Sequence, residues 1–153
     1  MVRRLTGAQR TIHAVHDQWG NRIAEYEVDA LAGRSTLLRE YVWGGGGLAP
    51  RILAVIEGGV VHHVRTDHIG RPTFATADGA ITWEAEYLFF GGVHAASTGV
   101  VDLRFPGQWF QSDSGLHQNW MRDYDPTTGR YLQADPLGLV DGASVYGYAL
   151  KSR

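Results

Sequence analysis

Three histidines have side chains that could bind a metal ion: His62, His63 and His68. His62 and His63 are adjacent in a predicted strand, where neighbouring side chains point to opposite faces, so one ion cannot bind both of them. No carboxylate or further histidine recurs at the spacing of a zinc site. We therefore expect no metal and no cofactor, and we expect His68 to have a hydrogen-bonding role in a turn.

Glycines and tryptophans offer two other kinds of ligand site. The glycine run 44–47 is not typical of a phosphate-binding loop, because no Lys-Ser or Lys-Thr pair follows it and no helical pattern begins there. Tryptophans could stack on sugars, although the packed face of a sheet is the more usual place for them. The candidates are Trp43, Trp83, Trp109 and Trp120. A free-standing carbohydrate or cell-surface binding module stays an alternative function.

The composition limits the classes of protein to which the chain can belong. Its 153 residues fit one domain, and 14 basic against 16 acidic residues give a net charge of −2. This balance argues against a nucleic-acid partner, because a broad nucleic-acid footprint needs clustered Lys and Arg. The absence of cysteine excludes disulfides and cysteine nucleophiles. No apolar stretch approaches the ~18 residues of a membrane span and no signal peptide is evident, so we expect synthesis in the cytoplasm.

The elements that must position these residues are short β-strands. The clearest is 80–88, where Ile81, Trp83, Ala85 and Tyr87 alternate with polar residues and should share one buried face. Glycines interrupt every window in which a helical period could begin. The sequence therefore predicts an all-β protein, an antiparallel β-hairpin strip with little or no helix. Further strands are predicted at 22–28, 37–43, 51–57, 60–65, 116–124 and 130–133, and loops at 31–36 and 44–47.

An aspartate followed by a glycine marks the predicted turns. Glycine readily adopts a positive φ, and an aspartate side chain accepts hydrogen bonds from backbone that follows it. The pattern recurs at 16–22, 66–71 and 124–130. Repetition of one strand–turn–strand unit favours a stacked or coiled β architecture over a compact sandwich.

Several segments resemble, in order along the chain, the signatures of rearrangement-hotspot (Rhs, or YD-repeat) proteins. Segment 124–139 resembles the core signature, which is YDP, two variable residues and GR, followed by DP-x-GL, and the later Y-x-Y is matched at 146–148. Segment 66–72 resembles TDH-x-G-x-P. The resemblance covers most of the chain. Its other matches are FPGQ at 105–108, TGLH at 114–117 and one YD repeat at 15–26.

The resemblance implies a β-strip that curls into a shell around a toxin, as in bacterial polymorphic toxins and the C subunits of insecticidal toxin complexes. Residues 1–65 would form the YD-repeat strip, and residues 66–153 the Rhs repeat-associated core that plugs one end, packed as one continuous unit. The implied partners are other shell segments, or a second copy of the chain by β-edge pairing, and a C-terminal toxin domain. Secretion or delivery to the cell surface is also implied.

The resemblance further implies an aspartic self-cleaving peptidase site made of Arg122, Asp123 and Asp135. Aspartic catalysis needs two carboxylates that share one proton across a water, and an arginine could keep one carboxylate ionised. If 125–129 is a turn, Asp123 should lie opposite Tyr131, with Asp135 roughly 13 Å further along at ~3.3 Å per residue. The chain must then fold back near Asp135. The alternative is that Asp135 starts a turn, while Arg122 and Asp123 are a charge pair at a strand end.

The number of DP-x-GL segments bears on whether such a site would act. One is present, at 135–139, whereas the family cleaves at a second copy that would follow residue 153. We therefore expect a structural segment with a dormant or incomplete site, which does not cleave itself. The alternative is an active aspartic autopeptidase that releases a C-terminal toxin.

Overall fold

Strands make up the regular structure of the described part of the chain. The computed structural model describes residues 2–4, 10–29, 31–45, 50–96, 99–139 and 144–148, and no helix occurs within them. The strands are β1 (Val2–Arg4), β2 (Arg10–His16), β3 (Arg22–Asp29), β4 (Arg34–Gly44), β5 (Arg51–Glu57), β6 (Val60–Thr66), β7 (Pro72–Ala77), β8 (Ala80–Tyr87), β9 (Val93–Ala96), β10 (Trp109–Phe110), β11 (His117–Asn119), β12 (Arg122–Asp125) and β13 (Arg130–Tyr131).

The strands form two antiparallel sheets. Strands β1 to β9 make a nine-stranded sheet whose spatial order is the order of the sequence, and β10 to β13 make a four-stranded sheet in the same way. The long sheet does not close on itself, so β1 and β9 each have one neighbouring strand among the described residues. The prediction of an all-β strip of antiparallel hairpins is therefore confirmed.

The turn between β2 and β3 is built around the carboxylate of Asp17. Its Oδ1 accepts hydrogen bonds from the backbone N–H groups of Trp19 and Asn21, each at 2.9 Å. The N–H of Gly20 donates to the carbonyl of Asp17 at 3.1 Å. Gly20 has φ of 85°, a conformation that most side chains disfavour. One aspartate and one glycine therefore suffice to reverse the chain, as the sequence predicted.

The turn between β6 and β7 repeats this arrangement around Asp67. Its Oδ1 accepts from the N–H groups of Ile69 and Arg71 at 3.1 and 2.9 Å. Its Oδ2 accepts from Nε of Arg71 at 2.9 Å, and the guanidinium of Arg71 lies 4.3 Å from the ring centroid of Tyr87. The carboxylate thus fixes the turn with one oxygen and pairs with an aromatic-stacked arginine through the other.

Register shifts bend the long sheet. An extra residue in one strand of a pair increases the local twist and bends the ladder, which allows a strip of hairpins to curl. Such shifts occur in the pairs β2–β3, β3–β4, β4–β5, β6–β7, β7–β8 and β8–β9.

One bulge overturns part of the burial pattern predicted for 80–88. The register with β7 shifts between Ile81 and Trp83, so Thr82 is an extra residue on β8. Ile81 is 62% exposed, whereas Trp83 is 1% exposed. Thr82 shares a hydrogen bond of 2.9 Å with Nδ1 of His62. The prediction that Ile81 is buried was wrong, because strict alternation holds only where the ladder is regular.

The predicted strand 116–124 is two strands. Strands β11 and β12 are joined by a tight turn at Trp120 and Met121, and Trp120 has a positive φ of 54°. A turn without glycine or proline gives no signal in the sequence, so the single-strand prediction was wrong. The predicted loop 31–36 was also partly wrong, since β4 begins at Arg34, and the run 44–47 contributes Gly44 to β4. Residues 46 and 47 lie outside the described residues.

The core lies between the long sheet and the segment that leads into β10. From the sheet, Ile52 and Trp83 are 2% and 1% exposed, and from the segment Val101 is 1% exposed. Trp109 packs edge-to-face against Tyr41, with ring centroids 5.0 Å apart. Burial of side chains of this size stabilises the fold by about 1.5–3 kcal/mol each. Aromatic packing therefore holds the two sheets together.

A half-buried ion network closes one side of this core. Arg39 on β4 donates from Nε to Glu57 at 2.7 Å and from Nη1 to Asp102 at 2.9 Å, and its Nη2 reaches the carbonyl of Gly99 at 3.2 Å. Burial raises the pKa of Asp102, and the charge of Arg39 opposes that shift. One guanidinium thus ties the segment 99–102 to strands β4 and β5.

Aromatic side chains near the second sheet cover glycines in the turns of the first. A methyl group on Gly20 would lie 2.2 Å from Cζ2 of Trp120, and one on Gly91 would lie 2.3 Å from Cε2 of Phe105. A side chain at either position would force the facing ring to move. Glycine at these turns therefore favours close packing as well as the backbone conformation.

Replacement of Asp67 by alanine should destabilise the protein by about 1–2 kcal/mol, because backbone N–H groups and Arg71 lose their acceptor. Asp67→Asn should recover part of this loss, since it keeps the oxygen that accepts from the turn. Urea unfolding measures both. Glu86→Ala, at an exposed strand position, is the control and should change stability by less than about 0.5 kcal/mol. Equal losses in the alanine and asparagine variants would contradict this account of the turn.

Candidate functional site

The chain folds back after β13 and brings Asp135 to Arg122. The N–H of Asp135 donates to the carbonyl of Val145 at 2.8 Å. Its Oδ2 lies 2.8 Å from Nη1 of Arg122, and the two side chains are 16% and 20% exposed. Its Oδ1 accepts from the N–H of Leu137 at 2.9 Å, and its carbonyl accepts from Gly138 at 2.9 Å. Asp135 therefore both starts a turn, through Oδ1, and forms an ion pair with Arg122, through Oδ2.

Asp123 is held by a residue that the sequence analysis missed, Gln133. The N–H of Asp123 donates to Oε1 of Gln133 at 2.7 Å, and Nε2 of Gln133 donates to Oδ2 of Asp123 at 3.0 Å. The carbonyl of Asp123 accepts from the N–H of Leu132 at 2.8 Å. The Gln133 amide thus supplies the bond that the main chain of a regular ladder would provide. A single glutamine beyond a short strand carries no recognisable signal in the sequence.

Tyr131 supports the arginine of the site. The guanidinium carbon of Arg122 lies 3.8 Å from the centroid of the Tyr131 ring, which is within the range of a cation–π contact. The side-chain amide of Asn119 donates to the hydroxyl of Tyr131. Burial raises the pKa of Tyr131. Arg122 is therefore fixed between an aromatic ring and the carboxylate of Asp135.

The register differs by one residue from the sequence prediction. Tyr131 pairs with Tyr124, not with Asp123, because Asp125 itself pairs with Arg130 across the turn. The structure brings Arg122 and Asp135 into contact, while the side chain of Asp123 bonds to Gln133 instead. Each carboxylate accepts hydrogen bonds from its own donors, so the arrangement is an ion pair beside a clamped aspartate.

An aspartate, an arginine and a tyrosine also contact one another at the turn between β6 and β7. There Asp67 holds its turn with Oδ1 and Arg71 with Oδ2, and Arg71 stacks on Tyr87. Asp135 holds its turn with Oδ1 and lies against Arg122 with Oδ2. The turn around Asp67 therefore provides a comparison for the candidate site within the same chain.

The other candidates from the sequence lie apart from this site. His62 is buried and bonds to Thr82, whereas His63 and His68 are exposed. Among the described residues, no three His, Cys, Asp or Glu side chains are grouped so as to hold a metal ion. The tryptophans differ from one another: Trp83 and Trp109 are buried in the core, Trp43 is half-buried, and Trp120 is 68% exposed.

A second residue that the sequence analysis did not single out is His117, inside the small sheet. His117 is 1% exposed and Gln108 is fully buried, and Nδ1 of His117 lies 2.8 Å from Oε1 of Gln108. Burial, followed by the positive charge of Arg104, lowers the pKa of His117 from 6.5 to about 4. The imidazole is therefore neutral in the folded protein well into the acid range.

This buried histidine should make the protein acid-sensitive. The unfolded state takes up a proton near pH 6.5 and the folded state only near pH 4, so stability falls as the pH drops through that interval. The loss attributable to His117 should be on the order of 3 kcal/mol. Denaturant unfolding at both ends of the interval should show a smaller loss for His117→Gln than for the unchanged protein. Equal losses would contradict the assignment.

The chain is similar in sequence to parts of much longer proteins. No known family profile matches the chain. The chain is 41% identical over 96 residues to the double-stranded DNA deaminase toxin A of Burkholderia cenocepacia, which is 58% of this chain and 7% of that protein. It is 41% identical over 76 residues to the probable deoxyribonuclease RhsA of Dickeya dadantii, which is 48% of this chain and 5% of that protein. The chain thus spans a small part of each of these relatives.

A solved structure supports the fold. The crystal structure of TcdB2-TccC3-TEV matches 96% of this chain and 9% of its own chain with a TM-score of 0.59 at 18% identity. In the described part of this chain, no helix is long and apolar enough to cross a membrane. The resemblance of the sequence to Rhs proteins is confirmed by these matches. The chain is similar in sequence to a short part of Rhs-type, toxin-related proteins.

Proposed function

We propose that the chain is a structural strip-and-plug segment of an Rhs-type shell that encloses a toxin. The observation that carries this proposal is the open nine-stranded strip, one face of which is covered by the segment 99–110. A strip with hairpins in sequence order and repeated bulges can be extended by further hairpins at either end without a change in topology. A compact sandwich has no such property.

The parts and partners of this segment follow from the same proposal. Residues 1–65 form the strip portion and residues 66–153 the core portion, packed as one continuous unit. Among the described residues, strands β1 and β9 each have one edge without a neighbouring strand, and these edges offer backbone groups to further shell segments or to a second copy of the chain. The C-terminal toxin domain of the assembled protein is the enclosed partner. Synthesis takes place in the cytoplasm, and secretion or delivery to a cell surface follows.

The site of Arg122, Asp123 and Asp135 is dormant in this proposal. Aspartic catalysis requires one protonated and one ionised carboxylate across a water. Here Asp135 forms an ion pair with Arg122 and accepts from the N–H of Leu137, and Asp123 accepts from the amide of Gln133, so both carboxylates have N–H donors. The alternative is an active autopeptidase that frees the toxin. One observation favours it, namely that the fold does bring Arg122 and Asp135 together.

The strip should associate beyond a monomer through its edges. Light scattering over a range of concentrations measures the mass. His94→Lys places a charge on edge strand β9 and should weaken association, because charged residues block edge pairing. His63→Lys is the matched control on an exposed sheet-face position and should leave association unchanged. A monomer at all concentrations, or equal behaviour of the two variants, would count against β-edge pairing.

The purified chain should keep its full mass during days of incubation from acid to neutral pH. Intact-mass spectrometry checks this. Cleavage that disappears in both Asp123→Asn and Asp135→Asn, but persists in Asp67→Asn, would establish the autopeptidase instead. Asp67 is the matched control because its turn contains the same arginine and tyrosine contacts. A fragment ending at Leu139 would place the cut at the DP-x-GL segment itself.

A further inference from the structure

An open cleft of about 460 Å³ lies beside the turns at one end of the strands of the long sheet, apart from the candidate site. It is bounded by the turn between β2 and β3 and by the turn between β6 and β7. Clefts of about 300–1,000 Å³ are typical of small-molecule sites. The residues that matter for its chemistry are Trp19, Trp43, Trp109, Arg51 and His68.

Indole rings form the apolar part of this cleft. Trp43 is held in place by a hydrogen bond of 2.8 Å from its Nε1 to the carbonyl of Arg22. Trp109 packs edge-to-face against Trp43, with ring centroids 6.5 Å apart. Trp19, at the tip of the first turn, is 70% exposed. The cleft therefore has two fixed aromatic walls and one indole that is open to a ligand. Such a surface favours a planar aromatic group.

The charged side chains that line the cleft are two arginines, Arg22 and Arg51. Arg51 and His68 are exposed at its rim, whereas the guanidinium of Arg22 pairs with Glu25. The carboxylates of Asp17 and Asp67 accept hydrogen bonds within their own turns, and neither residue lines the cleft. An anionic group therefore complements the rim, and an arginine suits a phosphate because its planar donors match the phosphate oxygens.

We propose that this cleft binds a nucleoside monophosphate, with the base stacked on Trp19 and the phosphate at Arg51. The proposal is independent of the shell function. One base and one phosphate suit the size of the cleft, and stacking on an aromatic side chain accepts any base. A polynucleotide would need a continued basic track, which the balanced composition of the chain does not provide.

The test separates the two halves of the ligand. Adenosine monophosphate, adenosine and inorganic phosphate are titrated into the chain, and the indole N–H signals are followed by NMR. Saturable shifts are expected for Trp19, Trp43 and Trp109, with a Kd of about 1 mM or tighter for the monophosphate. Adenosine should bind about tenfold more weakly, which is the size of one charge-assisted contact. Trp83 lies outside the cleft, and its signal should not move.

Two variants assign the contacts. Arg51→Ala should remove the difference between adenosine monophosphate and adenosine, while Trp19→Ala should weaken both by a similar factor. Arg65→Ala, an exposed arginine on β6 outside the cleft, is the control and should bind like the unchanged chain. Equal binding of adenosine and its monophosphate would overturn the phosphate site. The absence of saturable shifts, or an unchanged affinity in Trp19→Ala, would overturn the proposal as a whole.

Discussion

The fold depends on a carboxylate that holds the backbone of its own turn. Wherever a strand of the long sheet ends in such an aspartate, two N–H groups that would otherwise lack partners find an acceptor within the same turn, as at Asp17 and Asp67. The cost of reversing the chain is therefore met locally. Hairpins can then follow one another in sequence order without any long-range contact to define where each strand ends, which is what an extended strip requires.

The turns also provide the surface on which aromatic rings from the chain after the long sheet pack. A glycine at the fourth position leaves the turn without a side chain, so an aromatic ring can approach the backbone, as Trp120 approaches Gly20 and Phe105 approaches Gly91. The rings that dock there belong to the chain that follows the long sheet, and the same stretch supplies Trp109 to the core. Local turn chemistry and long-range packing are thus set by the same residues. A larger residue at either glycine would disturb both.

Features that depend on residues close together in the chain were predicted from the sequence. Features that depend on how the strands pair were missed. The aspartate–glycine turns and most strands were predicted because each depends on residues close together in the chain. Ile81 was assigned to the core because alternation was assumed to be regular, but a bulge at Thr82 moved it to the surface. The turn at Trp120 contains no turn-forming residue type. The family resemblance named Arg122, Asp123 and Asp135 without specifying which of them are in contact, whereas Gln133 follows only from the observed end of a ladder.

Hydrogen-bond donors and an arginine already contact the carboxylates of the candidate site. A shared proton makes one carboxyl oxygen a donor to the other carboxylate or to the water between them. In this structure, Oδ2 of Asp135 faces Arg122, Oδ1 of Asp135 accepts from Leu137, and Oδ2 of Asp123 accepts from Gln133. At the Asp67 turn, backbone N–H groups and an arginine likewise occupy both oxygens of an aspartate. In the proposed dormant site, catalysis would require Gln133 to release Asp123.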